Sequence, residues 1–409
     1  MDVALAALIS ACRTVEDPAA DAGERLRATL PLAGATLVEH QARLAAAAGA
    51  GPIVILVERL PATLTAAVDR LRRDGLHVEI ARGLTDAVDR IHPDETLLVM
   101  ADGWVAGADL VARMAEVPVP ALLAVPDDAD HAGFERIDAA ARWGGLLLID
   151  GARLRHTASR LGEWDLESTL LRRAVQEGAA RIDAYEEGDA PPVIADAVAM
   201  LDPLDRALAR GGRGEAEDAA ARFLFPPIVD ALALPLLRRG IEPRWIGAAA
   251  GLLALAAAPL ALFGWRWTAL SLLLLSGPLA ALAVRLAEIR LVAYDVRRLH
   301  VVRSIGAAVA LLLLGGDLAA TQGWGCWLLA CAVPLGMAAL SRERRILALV
   351  DERPAPLWLA SLDGLIWIAL PVAVAGPWLA MVAVVAAYAL ASFAVVQQRV
   401  AGRMAAARV

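Results

Sequence analysis

The chain has 409 residues, 58 % of them hydrophobic, and a formal charge of −7. All 39 Lys+Arg residues are arginine, so no lysine is present to form a Schiff base, and an anion falls to arginine, histidine or backbone amides. The acidic excess sits mostly in the first half and leaves no broad basic face for nucleic acid. Asparagine is absent too, a composition that fits a GC-rich bacterial coding sequence. Cys12, Cys326 and Cys331 offer no disulfide framework.

The N-terminal half alternates strand-like and helix-like segments. Residues 3–9 read as a buried strand. Ile9-Ser-Ala-Cys12 has the look of a lipoprotein cleavage box, but the segment before it is too short, has no basic start and carries Asp2. A loop over 11–33 follows, then a helix over 36–48, a strand over 53–57 and a helix over 62–73. Residues 77–81 and 96–100 read as strands, with a helix over 86–90 between them. This rhythm predicts a largely parallel sheet with helices on both faces. Ligands on such sheets sit beyond the carboxyl ends of the strands, which points to the 11–33 loop and to Asp102.

Beyond residue 242 the composition changes. Apolar runs at 246–263, 267–284, 305–318, 324–340, 356–375 and 378–396 each approach the roughly 20 residues that a bilayer-crossing helix needs. Arginines gather after the second run (Arg285, Arg290, Arg297, Arg298, Arg303), after the fourth (Arg342, Arg344, Arg345) and after the sixth (Arg399, Arg403, Arg408). The links at 315–323 and 375–377 have none, and 264–266 has only Arg266. Basic loops stay on the cytoplasmic side, so the expected topology is six crossings of a bacterial inner membrane with both termini cytosolic. The expected domains are 1–205 (α/β), 206–242 (linker and juxtamembrane amphipathic helix) and 243–409 (an all-α six-helix bundle). Asp363 lies inside the fifth run, where an ionisable group usually faces the bundle interior, and Arg285 is a candidate partner. Asp317 falls near the far end of the third run and reads as wet. His156 and His300 have no ligand-spaced neighbours.

Two resemblances follow from particular residues. Ala22-Gly-Glu-Arg25-Leu-Arg27, then Leu30-Pro-Leu-Ala-Gly34-Ala-Thr-Leu-Val-Glu-His40, resembles the opening of nucleotidyltransferases, and Ser168-Thr-Leu-Leu-Arg-Arg-Ala174 is similar to segments of members fused to membrane domains. The likeness implies nucleotide contacts from Gly23, Arg25 and Asp102, with magnesium on Asp102. The family's lysine is missing, and the glycine loop keeps little beyond Gly23. The bland reading of Asp102 is a helix cap.

The segment from Phe223 to Pro243, followed by the apolar runs, is similar to CDP-alcohol phosphatidyltransferases. Those enzymes move a phosphatidyl or phospho-alcohol group from a CDP donor to an acceptor hydroxyl. Their motif, D-x-x-D-G-x-x-A-R with two later aspartates, serves two metals and a general base. Here Gly277-Pro-Leu-Ala280-Ala281-Leu-Ala-Val284-Arg285 keeps only the arginine, and Tyr294, Arg298 and Val302 stand where the glycine and later acids belong. The resemblance implies polar-lipid head-group synthesis with weakened or lost activity, or a non-catalytic descendant that binds head groups or a partner. Its expected partners are membrane lipids, a CDP-alcohol or nucleotide, and a second copy in a homodimer. Arg285, Arg290, Arg297 and Arg298 are the candidates for anion or lipid-phosphate binding, although arginines at a membrane rim also simply enforce topology. Asp363 is the candidate catalytic base.

Overall fold

Strand β1 (Leu5–Ser10) carries no charge, and its Ala6, Ala7, Leu8 and Ile9 have no exposed surface, as a strand covered on both faces requires. The structure, a computed structural model, describes residues 4–17, 23–160, 165–185, 191–210, 218–350 and 356–406. Val3, Ala22 and Arg408, each part of a sequence expectation above, lie outside the described residues. The chain divides into two compact units. One comprises Met1–Gly212, Arg238–Gly240 and Glu288–Val292, and the other Arg213–Leu237, Ile241–Ala287 and Ala293–Val409.

The first unit is built on a seven-stranded sheet. After β1 come β2 (Ile53–Leu56), β3 (Val78–Ala81), β4 (Thr96–Met100), β5 (Ala121–Pro126), β6 (Ala141–Asp150) and β7 (Ala180–Asp183). The strand order is β7-β5-β6-β4-β1-β2-β3. Pairs β1–β2, β1–β4, β2–β3 and β5–β7 are parallel, while β6 runs antiparallel between β4 and β5. The expected α/β class with a mostly parallel sheet is the class observed. Ala33 and Gly34, at φ 50° and 73°, turn the short hairpin Pro31–Leu32/Ala35–Thr36, the backbone pattern of a two-residue hairpin loop. Thr36 then caps the helix Leu37–Ala47, with Glu39 reaching back to the Thr36 N–H at 2.8 Å in a capping box.

The second unit is helical. Pro243–Leu262, Arg266–Arg290, Val296–Gln322, Gly325–Leu347 and Trp378–Met404 are long and apolar enough to cross a bilayer. The first and third of these meet through small residues: a Cβ on Gly306 would lie 2.5 Å from the Ala254 carbonyl oxygen.

One apolar run differs from expectation. Run 356–375 makes only the 14-residue helix Leu362–Ala375, about 21 Å long against a hydrocarbon core of about 30 Å. Residues 356–361 stay non-helical, and neighbouring side chains satisfy their backbone. Ser392 Oγ accepts the Ala360 N–H at 3.0 Å, and Arg344 Nη2 donates to the Ala360 carbonyl at 3.2 Å. The Tyr388 hydroxyl donates to the Trp358 carbonyl. Irregular backbone at membrane depth requires such partners.

Tryptophans mark one end of the unit. Trp265, Trp267, Trp324 and Trp327 are about half or more exposed in or beside the arginine-poor links, and Trp267 meets Trp378 edge-on at 5.0 Å between centroids. Interfacial tryptophan at a span's end is what a bilayer boundary selects.

Candidate functional site

The carboxyl end of β4 delivers Ala101 and Asp102 to the turn that follows β1. Asp102 is 3 % exposed, and its Oδ2 accepts the N–H groups of Cys12 at 2.8 Å and Arg13 at 2.7 Å. Arg27 Nη1 donates to the Asp102 carbonyl at 3.1 Å, and Gln41 Nε2 donates to the Ala101 carbonyl at 2.9 Å. Glu167, near the start of the helix Leu166–Gln176, accepts the Asp102 N–H at 3.3 Å and a hydrogen bond from the Ser10 side chain. Burial pushes the carboxyl of Glu167 up to about 7 and that of Asp102 up to about 6. The same burial, with Asp102 beside it, raises the Cys12 thiol to about 11, so this thiol stays protonated and unreactive.

Arg13, Arg27, Asp102 and Glu167 line a cavity of about 40 Å³ with Glu135 and Trp143. That volume has room for a few waters. Asp102 Oδ1 and Arg27 Nε are buried there with no protein partner among the described residues. One Asp102 oxygen already takes two amides, and the guanidinium groups of Arg13 and Arg27 line the same space. Magnesium is commonly held by one or two carboxylates with water and phosphate, and here Asp102 Oδ1 and the lining Glu135 and Glu167 stand beside the guanidinium groups of Arg13 and Arg27, which would compete with it. Among the described residues no three His, Cys, Asp or Glu side chains gather as a metal site.

Gly23 and Arg25 are placed apart from the cavity lining. Gly23, at φ 70°, gives its carbonyl to the Asp17 N–H, and Arg25 Nε pairs with Asp17 Oδ2 at 2.8 Å within the hairpin Thr14–Glu16/Glu24–Leu26. Sequence reading passed over Arg13, Arg27 and Glu167. The available signal was proximity: Arg27 closes the quoted arginine motif, and Glu167 precedes the quoted Ser168 segment.

In the helical unit, Asp363 is paired with Arg303 and not with Arg285, a correction to the expected partner. Arg303 Nη2 lies 2.5 Å from Asp363 Oδ1, Nη1 lies 3.2 Å from Oδ2, and Nε donates to Ser276 Oγ at 3.3 Å. The expected arginine cluster also divides by exposure. Arg285 and Arg290 are each 7 % exposed and already engaged, while Arg297 and Arg298 face outward, Arg298 pairing with Asp295 at 2.7 Å. Asp317, expected to be wet, is partly exposed and takes Arg266 at 2.7 Å.

No family model matches the chain, and no curated protein matches it. Among solved structures, a Bacillus anthracis protein described as a glucose-1-phosphate thymidylyltransferase, in complex with a sucrose, is similar at 14 % identity and a TM-score of 0.41. The match covers 52 % of this chain and 98 % of that one. At that level of overlap the residues themselves must carry the functional reading.

Proposed function

We propose that this chain is a membrane protein of the CDP-alcohol phosphatidyltransferase type, associated with polar-lipid head groups, that binds without turning substrate over. The observation that carries this reading is the capture of one Asp102 carboxylate oxygen by the Cys12 and Arg13 amides. In the resembled nucleotidyltransferases this aspartate holds a metal, whereas here it ties the turn after β1 to the end of β4. Asp363, the candidate base of the helical unit, has both oxygens on Arg303 and is therefore engaged in holding a guanidinium. A bacterial inner-membrane location, the six-crossing topology and a homodimer belong to the same proposal.

Titration calorimetry of the full-length protein with CTP and magnesium tests it. Binding no tighter than about millimolar, roughly −4 kcal/mol, is expected. Micromolar affinity that disappears in Asp102→Ala would restore a catalytic nucleotidyltransferase.

A further inference from the structure

Asp363 occupies surroundings suited to an anion. It stands in the first turn of Leu362–Ala375, where the free amides carry the positive end of the helix dipole, and Ser361 caps that turn by accepting the Gly364 N–H at 2.9 Å. Facing it is the Arg303 guanidinium, 5 % exposed, whose third N–H is held by the fully buried Ser276. Gly277 lets the pair pack closely against its helix: a Cβ there would lie 2.6 Å from Asp363 Oδ1, 2.9 Å from Phe225 Cζ and 3.4 Å from Arg303 Nη2. The indole N–H of Trp367, four residues on and on the same helix face, is buried with no acceptor among the described residues.

We propose that this cluster binds the phosphate of an anionic lipid head group, with the Asp363 carboxylate as the internal occupant that the lipid displaces. The inference rests on the reading that the helical unit meets polar head groups, and it adds which residues do so and what competes with the lipid. A guanidinium fork accepts phosphate in the same two-point geometry as carboxylate, so exchange of one anion for the other conserves the Arg303 contacts. The position suits a lipid. A 14-residue helix of about 21 Å is shorter than the roughly 30 Å hydrocarbon core, so with its Ala375 end at one boundary its charged start falls short of the other. Arg303 and Asp363 neutralise one another while no lipid is present, as charges at that depth must.

The test uses full-length protein in nanodiscs of phosphatidylglycerol or of phosphatidylcholine, with retained lipid counted by native mass spectrometry. Asp363→Asn keeps the shape and removes the competing charge. It should retain phosphatidylglycerol about tenfold better than the wild type, and Arg303→Gln on that background should erase the gain. Phosphatidylcholine, whose phosphodiester is neutralised by its own choline, should gain less. Asp363→Ser also removes the competing charge with a smaller side chain, so it should reproduce the gain and decides the matter should Asp363→Asn not fold. Equal retention by the wild type and the variants overturns the inference, as does a gain that survives Arg303→Gln. Binding of added inorganic phosphate to Asp363→Asn with no lipid gain also overturns it, because the site would then serve a free anion. Tight CTP binding by the same protein would contradict the proposed function and leave the lipid comparison standing.

Discussion

Glu167 accepts the backbone N–H of Asp102, which brings two buried acidic side chains together at the end of β4. Both carboxyls are raised by burial, to about 7 and about 6, so the folded chain keeps protons that the unfolded chain releases at lower pH. Stability from this source is fully present below the ordinary carboxylate range and is lost as pH rises through about 7. Between about pH 5 and about pH 8 the α/β unit should lose about 2–3 kcal/mol, and Glu167→Gln should remove most of that slope. Thermal unfolding of both proteins across that range checks it. A wild-type profile that is flat, or that rises with pH, contradicts it.

Glu39, 1 % exposed, binds Arg70 through both oxygens at 2.8 Å and lies 3.7 Å from the buried Arg43. Its hydrogen bonds from Arg70 and Thr36 hold its carboxyl below the usual carboxylate range despite burial. Glu39→Ala leaves these arginines without their shared anion and should cost about 3–5 kcal/mol. Thr36→Ala removes only half of the capping box and should cost about 1 kcal/mol. Urea denaturation should separate the two, and equal costs would show that the cap alone matters.

Gly145, at φ 86°, lies where a Cβ would stand 2.2 Å from Trp104 Cδ1. Gly145→Ala must move a fully buried indole that donates to the Gly144 carbonyl at 2.8 Å, and should cost about 3 kcal/mol or more. Gly23→Ala, at a positive φ but with open space, should cost only about 1 kcal/mol. Reversal of that order in denaturant melts would contradict the packing described for β6.

Much of the fold was legible in the sequence because uninterrupted apolar runs carry both kinds of signal. Ile53–Leu56, Ala62–Arg73 and Thr96–Met100 fall within a residue of the expected bounds. No strand was read after residue 100, because β6 opens Ala-Arg-Trp-Gly-Gly and β5 ends in proline, which breaks the period-two pattern. The shortening of the apolar helix Leu362–Ala375 was hidden for a different reason. Hydropathy sees residues 356–375 as one apolar run, whereas Pro356 and the side chains of Arg344, Tyr388 and Ser392 decide where the helix begins. Spacing along the chain singled out Asp102 and Asp363 but not their companions. Glu167 and Arg303 reach them across 65 and 60 residues of sequence, a relation set only by packing.

The arginine asymmetry predicts that Gly323 and the C-terminus lie on opposite sides of the membrane. Reporter fusions at Gly323 and after Val409 should give external and cytoplasmic signals respectively. The same signal from both would remove one crossing, and Leu362–Ala375, the shortest of the apolar helices, would be the segment that fails to cross.

Binding without turnover is tested most directly by CMP release. Purified full-length protein is incubated with CDP-alcohols and lipid acceptors, with and without magnesium or manganese. The pairing of Asp363 with Arg303 and the capture of Asp102 by the Cys12 and Arg13 amides predict no metal-dependent CMP above the protein-free control. Metal-dependent CMP release that vanishes in Asp363→Asn would contradict the account and establish an active site in the helical unit.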